Sequence, residues 1–162
     1  MIKIPNFLPE ILELKGSWDE IIKLLYSIFE KDFKINKTRH CGLNIIYDSR
    51  ILKDGDGKEE GFWHVISKFD SLTNERLIDY RRAERLPWAK PIMESEKCEE
   101  LIIFDYDHGN ARKGIRRYIW LKNHDYIIIL RNKIKFFFWI TAFYIDKSGT
   151  RKDLHRRYLN SV

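Results

Sequence analysis

The last third of the chain contains four apolar, strand-like runs that are separated by short connections. The runs are LIIFDY (101–106), IRRYIWL (115–121), YIIILR (126–131) and IKFFFWITAFYI (134–145). Runs of this length that are rich in β-branched and aromatic residues are typical of strands, and connections this short are typical of hairpins. Because strands joined by hairpins run antiparallel, this segment predicts an antiparallel meander.

The N-terminal half of the chain carries helix signals. Ser17 and Glu20 form a capping box, and the apolar residues after them recur at helical spacing, so the sequence predicts a helix over 18–33. Thr73 is expected to cap a second helix, which ends before Pro87. The other predicted elements are strands at 43–47 and 62–67, loops at 54–61 and 86–98, and a short helix in the tail TRKDLHRRYL.

These elements together predict one fold class. It is α+β, with N-terminal helices packed on a twisted antiparallel β-sheet of four to five strands. A length of 162 residues fits a single domain, 1–162, of which residues 1–40 form a helical N-terminal part.

Positive charge is concentrated towards the C-terminus. Residues 111–162 contain 13 Lys and Arg against 3 Asp and Glu, whereas the whole chain has a formal net charge of +6. A segment this basic is the electrostatic footprint of a protein that binds a phosphate backbone. A solvated basic face, or a face for an acidic protein, are the alternatives.

Several classes of protein are excluded by what the sequence lacks. Cys41 and Cys98 are too few for a disulfide scaffold and have no neighbours at metal-ligand spacing. No apolar run approaches the length of a membrane span, and the opening MIKIPNFLPEILELKG carries acids where a signal peptide needs an apolar stretch. The sequence has no P-loop, dinucleotide-binding, zinc-protease or serine-hydrolase motif. We therefore expect a soluble, cytoplasmic protein with no membrane contact, no metal site and no cofactor.

His64 is the first candidate for chemistry, because it lies within the apolar run FWHVIS. In a strand it shares one face with Phe62 and Ile66. A histidine in such a place is commonly structural. Lys68, four residues later, and the arginines of the next predicted helix favour a functional role.

Those arginines are the second candidate. Arg81 and Arg85 lie one helical turn apart and share a face, with Arg82 beside them. Two guanidinium groups on one face repel each other unless an anion or an acid lies between them. Salt bridges with Glu84 or Asp79 are therefore one interpretation, and a phosphate site is the other.

The last predicted strand is apolar on both faces. Alternation places Phe137, Trp139, Thr141 and Phe143 on one face and Phe136, Phe138, Ile140, Ala142 and Tyr144 on the other. Such a strand is central and covered on both sides, or else it faces a ligand. Thr141, the only short hydroxyl in this run, is either an ordinary β-branched strand residue or a hydroxyl that binds phosphate.

These pieces together resemble the metal-independent ribonucleases grouped around barnase, colicin D and the RelE toxins, especially their phage-encoded and toxin branches. The resemblance rests on a strand histidine, an arginine-rich helix, the hairpin YIIILR…FFFWITAFYID and the basic tail RKDLHRRY, and it covers residues 60–158. It implies helices that precede a four-stranded antiparallel sheet, with RNA lying across the sheet. Members of these branches often end with a strand of the form T-A-Y. Here the string is Thr141-Ala142-Phe143-Tyr144, so Tyr144 comes one step late and, unless a bulge intervenes, points away from the face of Thr141.

The resemblance implies an endoribonuclease that uses 2′-hydroxyl attack and leaves a 2′,3′-cyclic phosphate. His64 is then the general base or acid, Thr141 a hydrogen-bond donor to a phosphate oxygen, and Tyr144 an acid or a stacking residue. The arginines expected to bind or stabilise the phosphate are Arg81, Arg82 and Arg85. The further residues expected to contact RNA are Lys68, Trp88, His108, Arg112, Lys113, Arg116, Arg117, Arg156 and Arg157.

RNA is thus the expected partner. Because a free ribonuclease harms its own host, we also expect an acidic inhibitor, antitoxin or immunity protein, or delivery into the cytoplasm of a target cell. A non-enzymatic nucleic-acid-binding module, or a protein-interaction module with a basic sheet, are the alternatives. One observation distinguishes the enzyme from these two binding modules. It is a single cleft that contains His64, Thr141 and either Arg81 or Arg85.

Overall fold

A six-stranded mixed sheet carries helices on both of its faces, in a computed structural model that describes residues 3–96 and 98–162. The helices are α1 (Trp18–Phe29), α2 (Glu60–Ile66), α3 (Tyr80–Ala83), α4 (Ala89–Glu94) and α5 (Ser148–Leu159). The strands are β1 (Arg39–His40), β2 (Leu43–Ile46), β3 (Ser67–Asp70), β4 (Glu75–Ile78), β5 (Leu101–Asp107), β6 (Ile115–Leu121), β7 (Tyr126–Asn132) and β8 (Phe136–Tyr144). Residues 1, 2 and 97, on which the predicted segments 1–40 and 86–98 partly fall, lie outside the described residues.

The large sheet has the strand order β1-β2-β8-β7-β6-β5. Strands β5 to β8 form the predicted antiparallel meander, and β1 pairs antiparallel with β2. Strand β2, however, runs parallel to β8. The α+β class is therefore confirmed, whereas the prediction of an antiparallel sheet of four to five strands is correct only in part. Because β2 reaches β8 from a distant part of the chain, no hairpin imposes the antiparallel direction on this pair.

Helix α1 begins where the capping box predicts. The Ser17 side chain accepts a hydrogen bond from the backbone N–H of Glu20, and the helix buries Ile21, Leu25 and Phe29. It continues as a π-helical segment, Glu30–Ile35, so the predicted helix over 18–33 is confirmed. The predicted C-terminal helix is confirmed as α5.

Two apolar cores lie on opposite faces of the sheet. On one face, α1, α2 and α4 contribute Phe29, Phe62 and Met93, which pack with Trp139 of β8. On the other face, Leu154 of α5 packs with a second set of sheet residues. This arrangement explains why β8 is apolar on both sides, since it is a central strand that is covered from above and below.

The predicted strand over 62–67 is wrong, because residues 62–66 belong to helix α2 and only Ser67 begins a strand, β3. Phe62, Trp63, Val65 and Ile66 are buried, and only His64 reaches the surface. A helix that is surrounded by core shows no amphipathic period, and a short apolar run of this kind looks the same as a buried strand. Tertiary packing decided between the two.

The predicted helix from Thr73 to Pro87 is also wrong. Its first half is instead the strand β4, which pairs with β3 in a two-stranded hairpin, and Asn74 adopts the left-handed conformation in the turn (φ 59°). Helix α3 begins only at Tyr80, and the carboxylate of its N-cap residue, Asp79, accepts a hydrogen bond from the backbone N–H of Arg82. The predicted loop 86–98 contains a 3₁₀ turn at Leu86–Trp88 and then α4.

A β-bulge divides β8 into two halves. Ile129 of β7 is opposite Thr141 and Leu130 is opposite Trp139, so Ile140 is the extra residue. The alternation of faces therefore reverses at Ile140. Ala142 lies with Trp139 in the core under the helices, and the predicted common face of Trp139 and Thr141 is wrong.

None of the helices in the described ranges is both long and apolar enough to cross a membrane.

Candidate active site

A cleft of about 470 Å³ opens between the end of α2, the β3–β4 hairpin and the second half of β8. Within β8, strand β2 pairs with Phe136–Phe138, at the start of the strand. Further along β8, Thr141 contacts His64 of α2, and Phe143 contacts Arg82 of α3. The residues that line the cleft are His64, Ser67, Lys68, Phe69, Arg76, Arg82, Ile140 and Thr141. Four residues that the sequence predicts, His64, Lys68, Arg82 and Thr141, are thus brought together.

A buried carboxylate lies behind His64. Glu60 precedes His64 by one turn of α2, and its Oε2 lies 3.4 Å from His64 Nε2 and 3.0 Å from Nη2 of Arg76. The side chain of Glu60 is 5% exposed, whereas that of His64 is 42% exposed. The imidazole is therefore accessible from solvent on one side and faces a fixed negative charge on the other.

The charges around His64 act in opposite directions. Burial is the largest influence and lowers the pKa of His64 below its ordinary value, while Glu60 raises it and Arg76 lowers it. Asp48 and Arg50, which pair with each other at 2.6 Å, add a smaller opposed pair of influences. The net effect favours the neutral imidazole near neutral pH, which is the form that accepts a proton.

Arg82 lines the cleft, but its guanidinium is engaged with the backbone. Its Nη1 donates to the carbonyl oxygens of His64 at 2.7 Å and Ser67 at 3.0 Å. Thr141 Oγ1 donates to the same His64 carbonyl at 3.4 Å. Carbonyls at the end of a helix lack partners within the helix, so Arg82 joins the end of α2 to the start of β3, and Thr141 joins it to β8.

The predicted cleft that joins Arg81 or Arg85 with His64 and Thr141 is wrong, because Arg82 and not these two arginines lines it. Arg81 and Arg85 instead form a separate group with Tyr144 and Trp88. Arg85 is buried and ion-paired with Glu84 at 2.6 Å, as the salt-bridge interpretation predicts. Its guanidinium lies 4.6 Å from the ring centre of Tyr144, and that of Arg81 lies 5.4 Å from the same ring. Trp88 is buried, which removes its face from contact with a base.

Sequence reasoning missed three residues that bear on the chemistry of the cleft, two in its lining and one, Glu60, behind it. Glu60 and Arg76 set the electrostatics of His64, and Phe69 is a large apolar side chain left 59% exposed. The spacing of Glu60 and His64, four residues apart, points to a side-chain pair once the segment is known to be a helix. Lys68, which was predicted, is 61% exposed and lies 3.8 Å from Asp79.

The basic residues of the C-terminal segment do not share a single face. Arg117 is paired with Asp105 at 2.9 Å and lies 3.3 Å from His40, whereas its neighbour Arg116 is on the opposite side of β6. Arg156 and Arg157 both pair with Asp153. The predicted contacts Arg112 and Lys113 are exposed, and His108 is half-buried.

The chemistry available in the cleft is that of an imidazole, a carboxylate and several cations. Within residues 3–96 and 98–162, no three His, Cys, Asp or Glu side chains form a group that could hold a metal ion.

No family model, no curated protein and no solved structure matches the chain.

Proposed function

We propose that the chain is a metal-independent endoribonuclease, toxin-like in kind, which cleaves RNA in the cleft around His64. The observation that carries the proposal is the accessible His64 imidazole in contact with the buried Glu60 carboxylate, in a cleft that also contains Lys68 and Arg76. Cleavage of a phosphodiester by an internal hydroxyl requires a general base and a group that holds this base in position. It also requires nearby cations, which stabilise the negative charge on the phosphate.

In the proposed reaction His64 acts as the base. Its Nε2 faces Glu60, so Nδ1 is the atom available to accept the proton of the 2′-hydroxyl. The 2′-oxygen then forms a bond to phosphorus, and the bond from phosphorus to the 5′-oxygen breaks. The 5′-oxygen takes a proton from water, and His64 returns the proton that it accepted to the solvent. The products are a 2′,3′-cyclic phosphate and a free 5′-hydroxyl. Lys68 and Arg76 stabilise the negative charge that builds up on the phosphoryl oxygens.

Phe69 provides a place for a base. It is exposed at the mouth of the cleft and lies opposite Arg76 in the β3–β4 hairpin. An aromatic ring beside a cation offers a stacking surface next to a phosphate contact, and single-stranded RNA uses such pairs.

The test is single-turnover cleavage of a labelled RNA with EDTA present. His64→Ala is expected to lower the rate by roughly 10²–10⁴, the range for a lost acid–base group. His155→Ala is the matched control, because His155 is exposed on α5 and is not among the residues that line the cleft. End-group analysis of the product is expected to find a cyclic phosphate.

Two results would reject the enzyme. If the wild type does not cut any RNA that it binds, the chain is a non-enzymatic RNA-binding module. If His64→Ala cuts as fast as the wild type, the chemistry lies elsewhere in the molecule.

A ribonuclease in the cytoplasm must be inhibited if its own host is to survive. An acidic protein is the inhibitor whose chemistry fits this cleft. Lys68 and Arg76 offer it positive charge, and Phe69 with Leu72 offer exposed apolar surface on the same hairpin. Expression of the active chain alone is then expected to slow growth, and expression of His64→Ala is not. Equal growth of cells that express the wild type and cells that express His64→Ala would reject the need for an inhibitor.

A further inference from the structure

A second cluster of basic side chains lies on the sheet face that carries α5. Arg116 and Tyr118 share that face of β6, and Tyr118 is part of the core that α5 covers. In register across the sheet, Arg116 is opposite Tyr106 on one side and Arg131 on the other, and Arg131 is opposite Phe138. This row crosses four strands, and all of its members are half-buried.

A chain of hydrogen bonds orders the cluster. Nη1 of Arg157 donates to the hydroxyl of Tyr118 at 2.6 Å, and the same hydroxyl lies 2.9 Å from Nε2 of His108. Because a guanidinium only donates, the hydroxyl accepts from Arg157 and donates its own proton to His108. Burial, Arg157, Arg116 and Lys113 all lower the pKa of His108. His108 is thus a neutral imidazole whose remaining N–H, on Nδ1, is free to donate.

The positive charge of the cluster is compensated only in part. Arg116 has no ion-pair partner in the part of the chain that the structure describes, and Asp153 is shared between Arg156 and Arg157. Among the same residues, the Nε atoms of Arg116 and Arg157 are buried and lack any hydrogen-bond acceptor. Buried charged donors without acceptors are costly, so the cluster is electrostatically incomplete without an anion.

The loop between β5 and β6 adds further cations at this place. Arg131 donates to the backbone carbonyls of Ala111 at 3.0 Å and Arg112 at 2.7 Å, which fixes the loop over the end of β6. Arg112 and Lys113, which lie on that loop, are exposed. Arg131 therefore orders a loop that places two exposed cations at the end of β6 that carries Arg116.

We propose that this cluster is a phosphodiester-binding subsite for single-stranded RNA, with Arg116 and Arg157 as the phosphate contacts and Phe138 as a stacking surface for a base. The proposal rests on the proposed function in taking RNA as the ligand. Arginine suits a phosphate because its planar fork offers parallel donors. Two strand spacings separate Arg116 from Phe138, about 10 Å, so one short stretch of strand reaches both.

The position of Phe138 is the reason why we propose single-stranded RNA as the ligand. It alternates with the buried Phe137 and so faces the same side as Arg116. A duplex keeps its bases stacked inside and cannot present a base face to this ring, whereas an unpaired strand can. Duplex RNA is expected to use the cations alone and to bind more weakly.

The experiment measures binding separately from cleavage. Fluorescence anisotropy follows a labelled single-stranded oligoribonucleotide, and the His64→Ala protein is used so that the RNA is not consumed. Adding Arg116→Gln is expected to weaken binding about tenfold and to lower the slope of log Kd against log salt by about 0.7. Adding Phe138→Leu is expected to weaken binding of the single strand while leaving that slope unchanged.

Arg39→Gln is the matched control, since Arg39 is an exposed arginine on β1, at the opposite edge of the sheet. Arg116→Gln removes no polar contact among the described residues and relieves the buried, unpartnered Nε, so its unfolding midpoint is expected to lie at or above that of the control. The subsite is rejected if Arg116→Gln and Arg39→Gln bind alike, or if the His64→Ala protein binds no RNA. Equal binding of duplex and single strand rejects the role of Phe138. RNA that is bound through Arg116 but never cut by the wild type rejects the nuclease and leaves the subsite intact.

Discussion

Replacing Arg82 by Gln removes the guanidinium that joins the end of α2 to β3. Two hydrogen bonds from Nη1 are lost, to the carbonyls of His64 at 2.7 Å and Ser67 at 3.0 Å. Hydrogen bonds from a charged group contribute about 1.5–3 kcal/mol each, which gives about 3–6 kcal/mol before any compensation.

Part of this loss is offset by the relief of a buried charge. Burial lowers the pKa of Arg82, and its Nε is buried with no hydrogen-bond acceptor among the described residues. Gln carries neither the charge nor that donor. We therefore expect a net fall of about 2–4 kcal/mol in the free energy of unfolding. In a chain of this size this lowers the Tm by about 5–15 °C.

Urea unfolding at neutral pH, followed by tryptophan fluorescence, measures this change. Arg81→Gln is the matched control, because Arg81 is the exposed neighbour and its ring contact with Tyr144 is worth about 0.5–1 kcal/mol. The argument fails if Arg82→Gln unfolds at the same urea concentration as the wild type. If it does so while RNA cleavage is lost, Arg82 acts on the substrate and not on α2.

The remaining predictions concern the cleft. If His64 is the base, kcat/KM is lost as the pH falls through the pKa of His64, which is lowered from its ordinary value of 6.5. Glu60→Gln is expected to move this acid limb to lower pH, and Arg76→Gln to move it to higher pH, because the two neighbours act on that pKa in opposite directions. A shift of both variants in the same direction, measured in pH–rate profiles, contradicts this electrostatic account. Phe69→Ala is expected to weaken RNA binding by about 1–3 kcal/mol, measured by anisotropy, with no change in unfolding midpoint. Leu72→Ala, which removes a more exposed apolar side chain at the tip of the same hairpin, is the control, and equal affinities of the two variants would remove the stacking role.

The elements that sequence reasoning predicts correctly are those with local causes. The capping box at Ser17 and Glu20 fixes the start of α1 through two neighbouring residues. The meander of β5 to β8 follows from short connections, which leave little choice of pairing.

The wrong predictions concern segments whose structure depends on packing against residues distant in the sequence. Residues 60–66 form a helix because core surrounds them on nearly every side, and this burial is invisible in a short apolar run. The same error hid Glu60, since its contact with His64 exists only at helical spacing. The bulge at Ile140 displaced Thr141 to the other face, and no residue type in the run marks a bulge there.

The candidate site was predicted in part by residue type and not by geometry. His64, Lys68, Arg82 and Thr141 share a cleft, but Arg82 contacts backbone and Arg85 contacts Glu84. Sequence shows which side chains are suited to phosphate chemistry. It does not show which of them the fold has already engaged in its own contacts.

The parallel pairing of β2 with β8 has a consequence for the order of folding. The meander joins residues close in sequence, whereas Asn44 pairs with Phe136 across most of the chain. Closing so long a loop costs entropy before the contact returns any stability, so the β1–β2 ribbon is expected to dock after the meander has formed. Until then the edge of β8 at Phe136–Phe138 has no partner and is open to pairing with another chain. By pairing with β8 late in folding, the β1–β2 ribbon covers a strand edge that would otherwise promote aggregation of the nascent protein.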